Sequence, residues 1–314
     1  MPLNVPARLF SSARFHINRL LIAYPGLIAR LNYTITIEDG FGTPGDTLLT
    51  ALVCRHLKKA HPSIRINCIT PNPALIETDP NIDFLNQPAT FFHLKVWYPD
   101  IIGTQDATTH LLTKTFHQLG TAAFDYHAAV YLRDEEVRMA RDLVRMLPRP
   151  IVSINTKTRE TTKNWDTNKW GALLELLRDK VSLIQLGDES EPVFEGVSRF
   201  AGKLDMRESM ALLSQANLHI GGVSFLMHAA NGLNVPSVII YGGRETPLNS
   251  GYRTNVNLYA KTACSPCWLH SSHGDVCPHD MECMKLISVD DVLQAVDRLL
   301  EQRSSVLLEQ SAHG

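Results

Sequence analysis

Four of the six cysteines fall within twenty positions, as Cys264-Ser265-Pro266-Cys267 and then Cys277 and Cys283. A Cys-x-x-Cys turn places two thiolates on one cation, and two later cysteines complete a tetrahedral set able to pin a loop that has little core of its own. Zinc is the default for four thiolates, and iron accepts the same sulfur donors. Four protein ligands leave no open coordination position, so the expected role is structural. Free redox-active thiols and two disulfides are the other readings of such a cluster, and His270, His273 and His279 stand close enough in sequence to replace one thiolate. Cys54 and Cys68 read as small core residues.

A second set of residues suits an anion. Ile220-Gly221-Gly222-Val223-Ser224-Phe225-Leu226-Met227-His228 runs from a strand end through a Gly-Gly turn into a helix. Exposed amides at such a helix start cradle a diphosphate. The plainer alternative is a tight turn in which Ser224 caps the helix and His228 packs one turn in. Lys163-Asn164-Trp165, followed by Lys169-Trp170, lies just beyond another strand candidate, where the lysine could reach the same anion. Otherwise it is a solvated lysine beside a capping aromatic.

These residues need elements to hold them. The β-branched run Tyr33 to Ile37 ends in a Gly-rich turn, Glu38 to Asp46, and Leu48, Leu49, Leu52, Val53 and Leu57 then repeat at helical spacing before the alternating segment Ile64 to Ile69. That order is one βαβ unit. Further strands are expected at Phe91 to Val96 and Ala128 to Leu132, with a helix around Leu111 to Leu119. Pro148-Arg149-Pro150 marks a linker, which sets the expected boundary near Leu147. Beyond it strands and helices alternate: strand Ile151 to Asn155, helix Trp170 to Arg178, strand Val181 to Leu186, helix Met206 to Gln215, strand Leu218 to Ile220, helix Phe225 to Leu233 and strand Ser237 to Tyr241. A last helix, Val289 to Leu300, follows Ser288 as N-cap, with Asp290 and Asp291 in its first turn. The fold class is α/β, with two Rossmann-like domains at 33–147 and 148–314 and a cysteine-rich metal loop, 264–283, in the second.

Length and composition agree with two cores. The chain has 314 residues, 44% hydrophobic and 20% charged, which is the composition of a globular protein. No run approaches the roughly 20 apolar residues of a membrane-spanning helix. A net charge of −2 gives no electrostatic case for nucleic acid. Residues 1–32 form a basic amphipathic arm with Arg8, Arg14, Arg19 and Arg30. It reads as an arm packing on this chain or a sister subunit in a homo-oligomer, as a peripheral contact with the inner membrane, or as a targeting segment. The location expected from the sequence is cytoplasmic.

In order along the chain, Gly45-Asp46-Thr47-Leu48-Leu49-Thr50, Asn81-Ile82-Asp83, Lys163-Asn164-Trp165 with Trp170, the Gly221 to Ala230 turn, Pro236 to Gly243 and Cys264 to Met284 resemble glycosyltransferase family 9. Its best-known members are ADP-heptose:lipopolysaccharide heptosyltransferases of the GT-B fold. No single part is specific, but the order is. The resemblance covers about Ile35 to Leu300 and makes 33–147 the acceptor domain and 148–314 the nucleotide-sugar domain, with the substrate in the cleft between them. It implies an inverting transfer of a heptose or related sugar, ADP-heptose favoured as donor, to a saccharide or protein hydroxyl. By the same resemblance Asp46 is the general base, Lys163, Gly221, Gly222, Ser224 and His228 hold the diphosphate, and no catalytic divalent metal is required. Asp46 equally suits a plain helix-capping role. The family's heptosyltransferases usually carry aspartate where Val223 stands, and Gly222 and Phe225 also depart from their pattern. The cysteine loop and the Gly-Gly-Val-Ser turn further resemble the protein-modifying branch that glycosylates autotransporters and carries a cysteine-held iron. A non-catalytic nucleotide-sugar-binding or assembly protein on the same fold is the alternative function.

Overall fold

The structure, a computed structural model, describes residues 21–98, 106–121, 123–267 and 276–312. Most of the basic arm, 1–20, together with His270 and His273, lies outside the described residues. The chain divides into two compact units, Met1–Tyr98 with Leu111–Tyr126, and Pro99–His110 with His127–Gly314.

In the first unit a short helix α1 (Pro25–Arg30) precedes β1 (Thr34–Asp39), whose Ile35 and Ile37 are fully buried. Helix α2 (Pro44–Ala60) starts with Pro44 where a missing amide costs nothing, and with Thr43 as N-cap accepting from Asp46 N. Its Leu48, Leu49, Leu52, Val53 and Leu57 are all buried, as their spacing requires. Then come β2 (Arg65–Ile69), β3 (Phe84–Leu85), β4 (Phe92–Val96) and α3 (Thr113–Gln118). The sheet is parallel in the order β3-β2-β1-β4. Cys54 and Cys68 are buried on α2 and β2, as expected of core residues.

The second unit opens with α4 (Asp134–Val144) and continues through β5 (Ile151–Asn155), α5 (Thr167–Leu177), β6 (Ser182–Gln185), β7 (Val197–Arg199), α6 (Met206–Leu213), β8 (Leu218–Gly222), α7 (Phe225–Gly232), β9 (Ser237–Ile240), α8 (Pro247–Ser250), β10 (Asn255–Leu258), α9 (Glu282–Leu286) and α10 (Val289–Ala312). Its six strands are parallel in the order β10-β9-β8-β5-β6-β7. Trp165, Trp170, Leu173 and Leu177 join Val152, Ile154, Ile220 and Val292 in its core. Ser288 caps α10 as expected, its Oγ accepting from Asp291 N at 3.1 Å while Ser288 N donates to Asp291 Oδ2 at 2.8 Å.

Two expectations are corrected. The division between units lies before α4, not near Leu147, because α4 is tied to α6: Arg207 Nη2 donates to Glu136 Oε2 at 2.6 Å and to Tyr131 O at 3.1 Å. The segment Ala128 to Leu132 is no strand. Ala128 N and Val130 N are taken instead by Asn231 Oδ1 at 2.7 Å and Gly232 O at 3.2 Å, which leaves no sheet edge to join. Among the described residues no helix is long and apolar enough to cross a membrane.

Each sheet has one place where strand order reverses. From β5 the chain goes to β6 on one side, while β8 lies on the other and leads to β9; from β1 it goes to β2, with β4 on the far side. The carboxyl ends of β5 and β8, and of β1 and β4, therefore open into crevices where loops diverge and ligands bind in open α/β sheets.

Candidate active site

In the second unit the crevice is built from the loop after β5. Glu191, which the sequence pattern did not single out, holds this loop: its carboxylate accepts from Asn155 Nδ2 at 2.6 Å, Thr156 N at 3.0 Å and Lys157 N at 3.1 Å. Burial pushes the Glu191 carboxyl up, and the Thr156 hydrogen bonds oppose it. Asn155 in turn accepts from Ser224 Oγ at 3.2 Å. Ser224 occupies the N-cap position of α7 but makes no side-chain cap. Its hydroxyl ties the glycine turn to β5 instead of capping the helix. A Cβ on Gly222 would stand 3.2 Å from Lys163 O and from Thr158 Cγ2, and one on Gly221 would meet the His219 ring at 2.8 Å. Gly222 thus suits the close approach of the turn to the segment that carries Lys163, while Gly221 makes room for the His219 ring.

Lys163 ends the short 3-10 turn Thr161–Lys163. It is not a solvated lysine: its side chain is largely buried, with Nζ 2.7 Å from Glu245 Oε1 and 3.9 Å from Glu160 Oε2. Burial alone would lower its pKa, but the two carboxylates outweigh this and hold it above the ordinary lysine value. Burial pushes the Glu245 carboxyl up, and Lys163 overcomes that, keeping it below its ordinary value. Glu245 Oε2 also accepts from Ser250 Oγ at 2.6 Å. His228 Nδ1 lies 2.7 Å from Tyr252 Oη. Burial depresses its pKa to about 4, against the pull of Glu245. His228 is therefore neutral near pH 7, with one ring nitrogen able to donate and the other to accept. Val223 is buried and apolar. The carboxylate near Lys163 comes from Glu245, in the turn after β9, a residue that no local motif marked. Trp165 is a core residue, its Nε1 donating to Ile287 O at 3.0 Å and its ring edge-on to Trp170.

In the first unit the loop after β1 is organised by buried Asp39, which accepts from Phe41 N (3.2 Å), Gly42 N (2.8 Å), Thr47 Oγ1 (2.7 Å) and Thr70 Oγ1 (3.0 Å). That fixes the start of α2 and with it Asp46, which is half-buried. Asp46 accepts from Thr43 Oγ1 at 2.6 Å through one oxygen and from the Tyr98 hydroxyl through the other. Its amide donates back to Thr43 Oγ1, so Thr43 and not Asp46 is the N-cap, and the Asp46 carboxylate sits in the first turn of a helix that starts at Pro44. Phe41 stacks on Trp97 and packs against Tyr98, with ring centroids 4.2 Å apart in both pairs. Asn81-Ile82-Asp83 lies elsewhere: Asp83 pairs with Lys58 at 2.7 Å and accepts from Ile66 N at 2.8 Å, a structural clamp between α2 and β2.

All six cysteines are free thiols. Cys283 is buried, which raises its pKa, and Cys277 and Cys264 add to the rise. Cys264, Cys267 and Cys283 all bear on Tyr259, while Cys267 N donates to Gly243 O at 2.9 Å. The four thiols thus share one neighbourhood. Among the described residues, however, no three His, Cys, Asp or Glu side chains converge as a metal site. The expected metal loop has the donor chemistry of a thiolate site without its closed geometry.

Against known proteins, residues 104–273, more than half of the chain, match glycosyltransferase family 9 (heptosyltransferase). The autotransporter heptosyltransferase TibC of Escherichia coli O78:H11 (strain H10407 / ETEC) is 26% identical over 196 residues, which are 55% of this chain and 48% of TibC. This chain spans about half the length of that relative. TibC has been solved as an iron-containing dodecamer (TM-score 0.63, 20% identity, 86% of this chain and 76% of that one) and in complex with ADP-D-beta-D-heptose (TM-score 0.64, 21% identity, the same shares). A family 9 glycosyl transferase from Veillonella parvula DSM 2008 superposes with a TM-score of 0.68 at 17% identity over 86% of this chain and 98% of its own. The E. coli ADP-heptose lps heptosyltransferase II gives 0.65 at 13% identity over 86% and 99%. At these identities the structures establish the fold, an α/β architecture of parallel sheets matching GT-B-like glycosyltransferases.

Proposed function

The chain belongs to glycosyltransferase family 9, and from that premise we propose that it is an inverting glycosyltransferase moving a heptose or related sugar from a nucleotide diphosphate to a saccharide or protein hydroxyl. One observation carries the reading: Lys163, Gly222 and Ser224 meet at the carboxyl ends of β5 and β8, where the start of α7 opens into the reversal point of the sheet. In this reading the amides of α7 and the Lys163 ammonium take the charge that develops on the leaving nucleotide, so the step calls for no divalent cation. His228, neutral, gives a hydrogen bond rather than a charge. Asp46 accepts the proton of the attacking hydroxyl, with Thr43 and Tyr98 orienting its carboxylate.

ADP-heptose is the favoured donor because TibC binds it and heptosyltransferase II is named for it. Val223 removes one carboxylate from the usual donor pattern, and Glu245 supplies one from a different turn. Cys264, Cys267, Cys277 and Cys283 would hold a structural iron or zinc, a reading supported by their thiol chemistry and by the iron of TibC. Assembly into a homo-oligomer follows the same likeness.

The test is a donor screen on the purified full chain, with ADP-heptose and a panel of other nucleotide sugars, each offered with and without saccharide and peptide acceptors. One donor should release its nucleotide in an acceptor-dependent way. Tight binding of a donor with neither hydrolysis nor transfer to any acceptor would instead establish the non-catalytic alternative.

A further inference from the structure

The Lys163 ammonium is already engaged by Glu245 at 2.7 Å, with Glu160 3.9 Å away, so it meets a ligand with its charge partly balanced. The neighbouring cation is Arg244, which precedes Glu245 in the turn leaving β9. Its side chain is 2% exposed and its Nε pairs with Glu160 Oε2. Its Nη1 is buried with no hydrogen-bond partner among the described residues, and so is Thr162 Oγ1, next to Lys163 in sequence. Arginine presents a rigid fork of donors that suits phosphate oxygens, and a buried donor left unmade is a cost that folding normally avoids. Arg244 is also close enough to Lys163 to press on its charge. The turn itself is fixed: Gly242 has φ +60°, and a Cβ there would meet Met284 Sδ at 2.6 Å. Two cations and two carboxylates are thus held together beside the crevice, with one guanidinium edge unused.

We propose that Arg244 is a second anion-binding cation of this site: its guanidinium leaves Glu160 for the diphosphate oxygens of the donor, while Glu160 and Glu245 serve as stand-in anions until the donor arrives. The inference rests on the proposed reading that this crevice takes a nucleotide diphosphate. It yields effects of opposite sign. Removing Arg244 weakens diphosphate binding; removing the charge of Glu160 frees Arg244 and strengthens it. A purely structural ion pair would weaken binding from either side.

The experiment is calorimetric titration of the full chain with ADP, UDP and inorganic pyrophosphate, with adenosine and uridine as controls that carry no phosphate. Arg244→Gln should weaken pyrophosphate and nucleoside diphosphate binding by about 10- to 100-fold, the range of a lost charge-assisted hydrogen bond, and leave nucleoside binding unchanged. Glu160→Gln should tighten diphosphate binding by roughly three- to tenfold. Thermal melts check folding, and if Arg244→Gln does not fold, the sign of the Glu160→Gln effect decides alone. Arg244→Gln binding pyrophosphate within about twofold of the parent, or Glu160→Gln weakening it, overturns the inference and leaves the proposed function standing. A parent chain that binds neither pyrophosphate nor either nucleotide overturns that function, and the inference with it.

Discussion

The two units place their chemistry at the same topological position and equip it in opposite ways. In the first, Asp46 sits half-buried at the start of α2, held by two hydroxyls, with a stacked aromatic group beside it. In the second, the largely buried Lys163, Glu245 and Arg244 and the partly exposed Glu160 form a set of alternating charges next to a neutral histidine. Sheet topology decides where a ligand can enter, and side-chain environment decides what can happen there. A carboxylate in contact with water and hydroxyl donors can exchange a proton during turnover. Charges locked in a buried array are poor at exchanging protons and good at presenting a fixed field to an anion.

The contrast breaks first at Asp46. Asp46→Asn keeps the shape and the contact with Thr43 but removes the basic oxygen. The transfer rate should fall by about 10²- to 10⁴-fold, the usual worth of a general base, with stability changed by no more than about 1 kcal/mol because only a helix-terminal charge is lost. Steady-state kinetics with chemical denaturation on the same preparation measures both. An unchanged rate would reduce Asp46 to a first-turn partner of the Thr43 cap and leave the first unit without a base.

Lys163 should show the reverse balance. Lys163→Ala leaves Glu245 as an uncompensated buried carboxylate and should cost about 3–5 kcal/mol of stability. The double variant Lys163→Met, Glu245→Leu removes both charges and should recover most of that loss while still failing to bind a diphosphate. Urea denaturation of the single and double variants checks it; equal instability in both would mean that packing, not charge pairing, dominates at this position.

The sequence made much of the framework visible. Strands such as Ile35 to Ile37 and Ile151 to Asn155 announced themselves because their β-branched runs are bounded by turn residues, and α2 because its apolar positions recur at helical spacing. The very short β3 and β7 could not, since two or three residues carry no period. Ala128 to Leu132 has strand composition, yet the α7 end took its amides, a tertiary competition invisible locally. At the site, Lys163, Ser224 and His228 were legible from motif order. Glu191, Glu245, Arg244 and Tyr98 were not, because each acts across distances in sequence of 34 to 84 residues or lies outside any motif. Charge partners brought in by topology leave no local signal.

Acidification sharpens the contrast more gently. Burial holds His219 and His228 at about 4 and His110 at about 3, all in the second unit. Their unfolded value is about 6.5, so between these values the unfolded chain binds more protons than the native one. The stability they contribute is complete above about pH 6.5 and is lost as pH falls toward the folded values, by on the order of 3 kcal/mol for one such histidine. Glu191, pushed up by burial, works in the opposite sense at the acid end. The second unit should therefore open before the first between pH 6.5 and 5, as followed by hydrogen exchange resolved along the chain. His219→Gln, which removes one of these groups, should reduce that loss; an identical pH profile would remove buried histidine as its cause.

The smallest effect returns to the first unit and tests how Asp46 is held. Tyr98→Phe deletes one hydroxyl that donates to the Asp46 carboxylate and leaves the stacking on Phe41 intact. A hydrogen bond of this kind is worth about 0.5–1.5 kcal/mol, so kcat should fall by roughly two- to tenfold with KM for the donor unchanged. The split matters because Tyr98 belongs to the unit that does not carry the proposed diphosphate contacts. A change in donor KM with kcat unaltered would show that Tyr98 helps to place the donor rather than to orient the base, and the division of labour drawn between the two units would then need to be redrawn around it.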